Sequence, residues 1–243
     1  STETVIEEAI QKGCNMIVAH HPIVFKGLKK ITGFTYVERV IISAIKNNIA
    51  IYAMHTNLDS VNYGVNKMIS DRLGLNNTRI LRPKKNLLFK LIVFVPSTHS
   101  EKVRTAIFDA GGGHIGNYSN CSFNSPGTGT FKADENADPF AGKIGETHHE
   151  DEVRIEVVIP KYKKETVVSA LLKSHPYEEV AYDLIPLEND LVTIGSGMIG
   201  ELEETMSGTE FLNHLKNKMK TNCIRYTTLL DTPVKKVALC GGS

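Results

Sequence analysis

Two short apolar runs, each broken off at a histidine, most constrain what this sequence can fold into. Met16-Ile17-Val18-Ala19 stops at His20-His21-Pro22, and Ile49-Ala50-Ile51-Tyr52-Ala53-Met54 stops at His55-Thr56-Asn57-Leu58-Asp59. Between them, from about Tyr36 to Asn47, Val37, Val40, Ile41, Ala44 and Ile45 recur at the three-and-four spacing of a helix that turns one stripe to a core. Strand, crossover helix, strand is the βαβ unit, whose strands lie parallel and close together. Both strands then end at the carboxyl edge, where open α/β sheets bind ligands. His20, His21 and Asp59, distant in sequence, are therefore expected to open into one cleft at that edge.

The remaining chain sorts around this unit. Thr4 to Ile10 reads as an opening helix. A helix is expected after Asp59, with Val65, Met68, Ile69 and Leu73 as its apolar face and Gly74 as its C-cap. Arg82-Pro83-Lys84-Lys85-Asn86 reads as a boundary, and beyond it the chain repeats itself. Val95-Pro96 precedes a helical stripe of Val103, Ala106 and Ile107, and Ile159-Pro160 precedes one of Val167, Ala170 and Leu171, at a constant offset of 64 residues. Strand, Pro, helix, strand, twice over, predicts a four-stranded ferredoxin-like domain. The Gly/Pro-rich stretch from Asn124 to Asp151 reads as a long loop between the halves, and Pro186-Leu187-Glu188-Asn189-Asp190 as the end of the insert. The expected organisation is α/β in residues 1–86, a ferredoxin-like α+β insert in 87–187, and a return to α/β in 188–243. In that last part Gly195 to Gly200 reads as a turn, Phe211, Leu212, Leu215 and Met219 as a helical stripe, and Val237 to Cys240 as a strand running into a Gly241-Gly242-Ser243 turn. The chain opens without Met on a helix already under way and closes on that strand, so a fragment of a longer protein is expected.

Composition narrows the partners. Lys and Arg number 28 against 27 Asp and Glu, a net charge of +1. The lysine pairs are scattered and not interleaved with aromatics, which argues against a nucleic-acid groove. Four cysteines (14, 121, 223 and 240) with no C-x-x-C spacing fit a reducing cytoplasm better than a disulfide framework. Cys14 and Cys240, beside apolar strands, read as buried small hydrophobes. No apolar run reaches membrane-spanning length.

Adjacent histidines facing an Asp across a βαβ crossover suit a divalent transition metal, since imidazole nitrogen and carboxylate oxygen ligate zinc, manganese, iron or nickel. Neighbouring strand residues point to opposite faces, so both histidines converge only if the chain turns towards Pro22. The plainer reading is that one His caps a helix or donates to a backbone carbonyl. His55 would serve as a further ligand, as a donor orienting a ligand, or as a packed histidine, the second being preferred. Lys26 would hold an anion or stand solvated, the latter being the commoner state. His148-His149-Glu150-Asp151-Glu152 has metal-like composition but falls in the expected loop, where ligands would be mobile. His175-Pro176-Tyr177 reads as structural, with Pro176 ending a helix. Gly195-x-Gly197-x-x-Gly200 matches a dinucleotide fingerprint only as a string, without a strand–turn–helix around it.

The stretches Asn15 to Leu28 and Ala53 to Asp59 resemble the Nif-three-like family, also known as homologues of GTP cyclohydrolase I, type II. Gly195–Leu202 and the terminal strand fit its second α/β half, and the duplicated middle resembles the CutA-like insert of its longer bacterial members. The resemblance implies a dinuclear centre, two divalent cations per subunit, in a toroidal homohexamer. His20, His21 and Asp59 match three of its metal ligands, and a further His and Glu are implied beyond the Gly-Gly-Ser turn. It also implies a metal-dependent hydrolase of GTP cyclohydrolase type, acting on a small molecule. The alternative is a non-enzymatic metal-binding or partner-binding scaffold.

Overall fold

The computed structural model describes residues 1–241. The Gly-rich turn expected after the last strand therefore lies, from Gly242 on, outside the described residues. Contacts divide the chain into two compact units, Ser1–Pro83 with Val192–Ser243, and Lys84–Leu191.

The first unit begins with α1 (Glu3–Gln11), β1 (Met16–Ala19), α2 (Tyr36–Lys46) and β2 (Ala50–Ala53). β1 and β2 pair in parallel, Met16 opposite Ala50 through Ala19 opposite Ala53, as the crossover pattern predicts. Ile6, Ala9, Val40, Ala44 and Ile49 form the core beneath them, with Ile17, Ile23 and Ile51 packed against it. α1 and α2 thus cover one face of the pair, while Met16, Val18 and Tyr52 stay exposed. Two details of α2 differ from expectation. Ile45 is exposed, and the charged Glu38 is buried.

Glu38 is buried because it gathers the loop that follows the two histidines. Its carboxylate accepts hydrogen bonds from Thr32 N and Thr32 Oγ1, both at 2.7 Å, from Phe34 N at 3.2 Å and from Thr35 Oγ1 at 3.2 Å. Thr35 in turn N-caps α2, its hydroxyl accepting from Glu38 N. These donors, led by Thr32, hold the Glu38 carboxyl down at about 2.

The sequence pattern predicts a helix only after Asp59. Instead α3 (His55–Ser60) starts two residues after β2, and α4 (Val65–Arg72) follows. Gly74 takes the left-handed conformation just past α4, as expected, and Leu73 and Ile69 belong to the core, but the buried side takes in polar residues and leaves out Met68. Asn66 and Ser70 are buried while Met68 is 65% exposed. β3 (Asn76–Lys84) went unread at the expected boundary, and the supposed glycine turn lies inside β8 (Leu191–Met206). Gly195 and Gly200 sit there because the neighbouring backbone of β3 comes too close for a Cβ: one at Gly195 would collide with Arg82 O. α7 (Gly208–Met219) and β9 (Val234–Leu239) complete the unit, with β8 at the centre of a β3-β8-β9 sheet. Cys14 and Cys240 are exposed, contrary to expectation, because each falls just outside its strand.

The second unit runs β4 (Leu88–Pro96), α5 (Ser100–Asp109), β5 (Phe123–Lys132), β6 (Thr147–Pro160), α6 (Lys164–Ser174) and β7 (Tyr182–Leu187). The strand order is β5-β6-β4-β7, and all pairs are antiparallel. Pro96 and Pro160 both end a strand and lead through a 3₁₀ turn into a helix. Leu91, Val93, Val95, Ile155, Val157 and Ile159 pack against Val103, Ile107, Val167 and Leu171. The stretch expected to be a loop is mostly the β5–β6 hairpin, so the His148–Glu152 cluster lies on a strand. There His148 Nε2 pairs with Glu150 Oε2 at 2.8 Å.

The Glu38 clamp carries a pH dependence. Its folded carboxyl titrates below the ordinary 4.5, so the clamp's contribution is present above that value and lost as pH falls through about 2. Acid titration of stability, followed by chemical denaturation, should show a loss across this window in the parent chain. Glu38→Gln should be less stable at neutral pH and flatter below pH 4.5. Parallel profiles for the two proteins would remove the clamp.

Candidate metal centre

The β-ladder reaches one step past the strands. Met54 N donates to Ala19 O at 3.0 Å, which pins the chain before His55 to the chain before His20. His20 and His21 lie in the bend after β1, where alternation no longer sends them to opposite faces. His55 opens α3. The three rings meet with centroids 4.7 Å (His20–His21), 4.8 Å (His20–His55) and 5.0 Å (His21–His55) apart. One nitrogen from each lies within 4.8 Å of the others. His20 and His21 are exposed and His55 half-buried.

Asp59 stands one turn further along α3, the i+4 position that puts it on the face of His55. Its Oδ2 is 3.9 Å from His55 Nδ1, beyond hydrogen-bond reach. The side chain is only 11% exposed, yet neither carboxylate oxygen has a hydrogen-bond partner among the described residues. A buried carboxylate without a donor is costly, and a cation is the simplest group to relieve it. The donor set, three imidazole nitrogens and one carboxylate, is the chemistry of a divalent transition-metal site.

Of the residues singled out in the sequence, the structure thus gathers His20, His21 and His55 and sets Asp59 behind His55. The His55 ring stands in the cluster itself, beside those of His20 and His21. The i,i+4 spacing of His55 and Asp59 was the signal for it. Lys26 is exposed. His175 is structural as expected: Nε2 donates to Phe94 O at 3.0 Å and Nδ1 accepts from Tyr177 N at 3.1 Å. Burial lowers its pKa.

Asn66 carried no signal as a lone polar residue. Buried at 3% exposure, it donates from Nδ2 to Asp59 O at 2.8 Å and accepts at Oδ1 from Gly241 N at 2.7 Å. It ties the backbone of the carboxylate-bearing helix to the chain leaving β9. Asn62 N, donating to Thr193 O at 3.1 Å, adds a second tie from this loop to β8.

A parallel β-pair with imidazoles converging at its carboxyl edge makes this an α/β protein with metal-type donors at one sheet edge. The model of the Duf34/NIF3 (NGG1p interacting factor 3) family matches residues 1–243, and the chain belongs to that family. The resemblance read from the HHP and HTNLD motifs is thereby borne out. The chain is 48% identical over 242 residues to a GTP cyclohydrolase 1 type 2 homolog of Halalkalibacterium halodurans, a match covering 99% of this chain and 65% of the relative. It is 45% identical over 241 residues to the Bacillus subtilis protein of the same name, again covering 99% and 65%. Among solved structures, a Bacillus cereus protein related to NIF3 aligns with TM-score 0.81 at 46% identity, over 100% of this chain and 65% of the other. The chain spans about 65% of the length of the curated relatives it matches.

Asn66→Ala leaves the Asp59 carbonyl and the Gly241 amide without their partner. It should lower stability by about 1–3 kcal/mol for an unsatisfied buried group. Met68→Ala, at an exposed site on the same helix, should change it by less than about 0.5 kcal/mol. Denaturant unfolding of both variants reads the difference, and equal midpoints would mean that Asn66 is not a tie.

Proposed function

We propose that this protein binds divalent metal through His20, His21, His55 and Asp59, and that it acts as a dinuclear metal-dependent hydrolase. The observation that carries this reading is the convergence of three imidazoles beside a buried Asp59 carboxylate that lacks any hydrogen-bond donor. When bound, divalent ions would supply Lewis-acid polarisation and an acidified water to a hydrolytic reaction. Zinc, manganese, iron and nickel all suit this donor set. The chain's own part is to present the ligands. The β1–β2 ladder sets His20 and His21, α3 sets His55 and Asp59 on one face, and Asn66 anchors that helix. The exposed position of His20 and His21 leaves room for a substrate to approach.

The name shared by the relatives suggests a small molecule of the GTP cyclohydrolase type as substrate, and that part rests on likeness alone. A homo-oligomer, hexameric by the family resemblance, is supported by large rings left in water: Phe25 is 77%, Phe34 87% and Tyr63 85% exposed. The same surface favours the second reading, a metal-holding scaffold that binds a partner. We also place the second unit as a ferredoxin-like insert in an α/β domain built from two chain segments. The β5-β6-β4-β7 order and the repeated strand–Pro–helix passage support that placement.

Zinc or manganese loading followed by elemental analysis tests the site. His21→Ala, His55→Ala and Asp59→Ala should each lower metal affinity by at least the 10–100-fold order seen for groups that merely support ligands. Their thermal melts should stay near the parent's, because the two imidazoles stand at a sheet edge and the Asp59 carboxylate makes no hydrogen bond that the substitution would break. Undiminished metal in His21→Ala would end the assignment. Turnover of nucleotides and phosphoesters by the loaded protein, lost in Asp59→Ala, separates the hydrolase from the scaffold.

A further inference from the structure

The unit spanning Lys84–Leu191 has a cavity of its own, about 870 Å³ in volume, within the ~300–1,000 Å³ range of small-molecule sites. It lies on the open face of the four-stranded sheet. Leu91, Val93, Val95, Ile155 and Val157 point to the helices, so the alternate residues Phe94, Glu152 and Arg154, which line the cavity, point the other way. The rings of Phe131 and Phe140 stand 5.9 and 6.0 Å from that of Tyr177 and form its walls. Gly127 and Gly129 of β5 leave its floor bare.

One carboxylate is built into this floor. Glu152 is 9% exposed, and its Oε1 accepts from the Tyr177 hydroxyl at 3.0 Å. Burial, then this hydrogen bond, raises the Tyr177 pKa well above the usual phenol range, so the hydroxyl stays a donor. The second oxygen, Oε2, receives no hydrogen bond from the described residues. It lies over Gly129, where a Cβ would collide with it, so the glycine makes room for the carboxylate. Around it Asp134, Glu178 and Glu179 outnumber Lys132 and Arg154, and Arg154 is already engaged with Glu156 at 2.9 Å. An anion would meet this negative excess. A metal ion would need several converging donors, and among the described residues that arrangement occurs only at His20, His21 and His55.

We propose that this cavity binds a small organic cation, an amine or amidinium head on an aromatic or apolar body, with Glu152 Oε2 as its counter-charge and Phe131, Phe140 and Tyr177 as its walls. Aromatic faces attract a cation through their quadrupole, and a charged N–H donor to a buried carboxylate makes a strong hydrogen bond. The site is separate from the histidine cluster and independent of the metal reading.

Calorimetric titration of the whole chain with benzamidine, benzyl alcohol and benzoate tests it. Benzamidine should bind saturably, with a dissociation constant on the order of 1 mM or tighter, and at least tenfold more tightly than either of the others. Glu152→Gln keeps an acceptor for Tyr177 but removes the charge, and should weaken benzamidine at least tenfold. Gly127→Leu fills the floor from a position where a Cβ meets nothing within 4 Å, and should abolish binding while leaving the melting temperature near the parent's. If Glu152→Gln fails to fold, Gly127→Leu decides alone. No saturable benzamidine binding, equal binding of benzyl alcohol or benzoate, or undiminished affinity in a folded variant would each overturn the proposal.

Discussion

The parallel pairing of β1 with β2 is the constraint on which the histidine cluster depends. Neither strand exceeds four residues, and two such strands alone would be marginal. They are held because α1 and α2 bury one face of the pair against Ile17 and Ile51, and because the right-handed crossover fixes which edge both strands leave from. A slip of one residue would exchange the buried and exposed sets, Ile17 for Val18 and Ile51 for Tyr52. The same slip would displace His20 from His55. Register and site geometry are therefore one property, enforced by the core beneath α2. The loop that must then travel from His21 back to α2 is gathered by a single carboxylate, Glu38.

What could be read in advance follows from how much of the signal was local. β1 and α2 were visible because apolar runs and a 3.6-residue stripe report burial directly. α3 was not, since six residues with a single apolar side chain show no period, and its helicity is decided by the strand before it and by Asn66 after it. β5 was hidden for a different reason. Pro126, Gly127 and Gly129 are turn residues by composition, yet β5 is an edge strand paired only with β6, where Pro and Gly are tolerated, and Gly129 is small because Glu152 lies over it. In α4 the apolar stripe holds only in part. Met68 is exposed, while Asn66 and Ser70 share the buried side with Leu73, and Asn66 is held there by backbone groups at Asp59 and Gly241 that no local pattern reveals. At the site, the histidines were readable from their strand ends and the role of Asn66 was not.

In the second unit the duplicated passage from strand through Pro into helix gives two helices on one face of a sheet, and the faces of that sheet divide the chemistry. The buried core of the covered face is aliphatic, with Phe89, Phe108 and Tyr182 packed around it. The open face carries charge in pairs that satisfy one another: Glu156 takes Lys90 at 2.7 Å and Arg154 at 2.9 Å, and the Lys90 hydrogen bond leads the lowering of its pKa. A surface ion pair of this kind contributes little to stability. Its effect here is to occupy Arg154, which leaves Glu152 without the cation nearest to it on the same strand face.

Three buried carboxylates in this chain can then be ordered by how well the protein solvates them. Glu38 receives four hydrogen bonds from its own loop and needs nothing further. Its low pKa is the mark of a charge already satisfied. Glu152 receives one, from Tyr177, and turns its other oxygen to a cavity. Asp59 receives none. A protein interior does not retain an ionised group on such terms without a counter-charge, so the deficit increases from a structural clamp, through the proposed organic-cation pocket, to the proposed metal centre. Burial alone would not separate the three, since all are mostly buried. The count of donors does, and the one with the fewest stands beside three imidazoles.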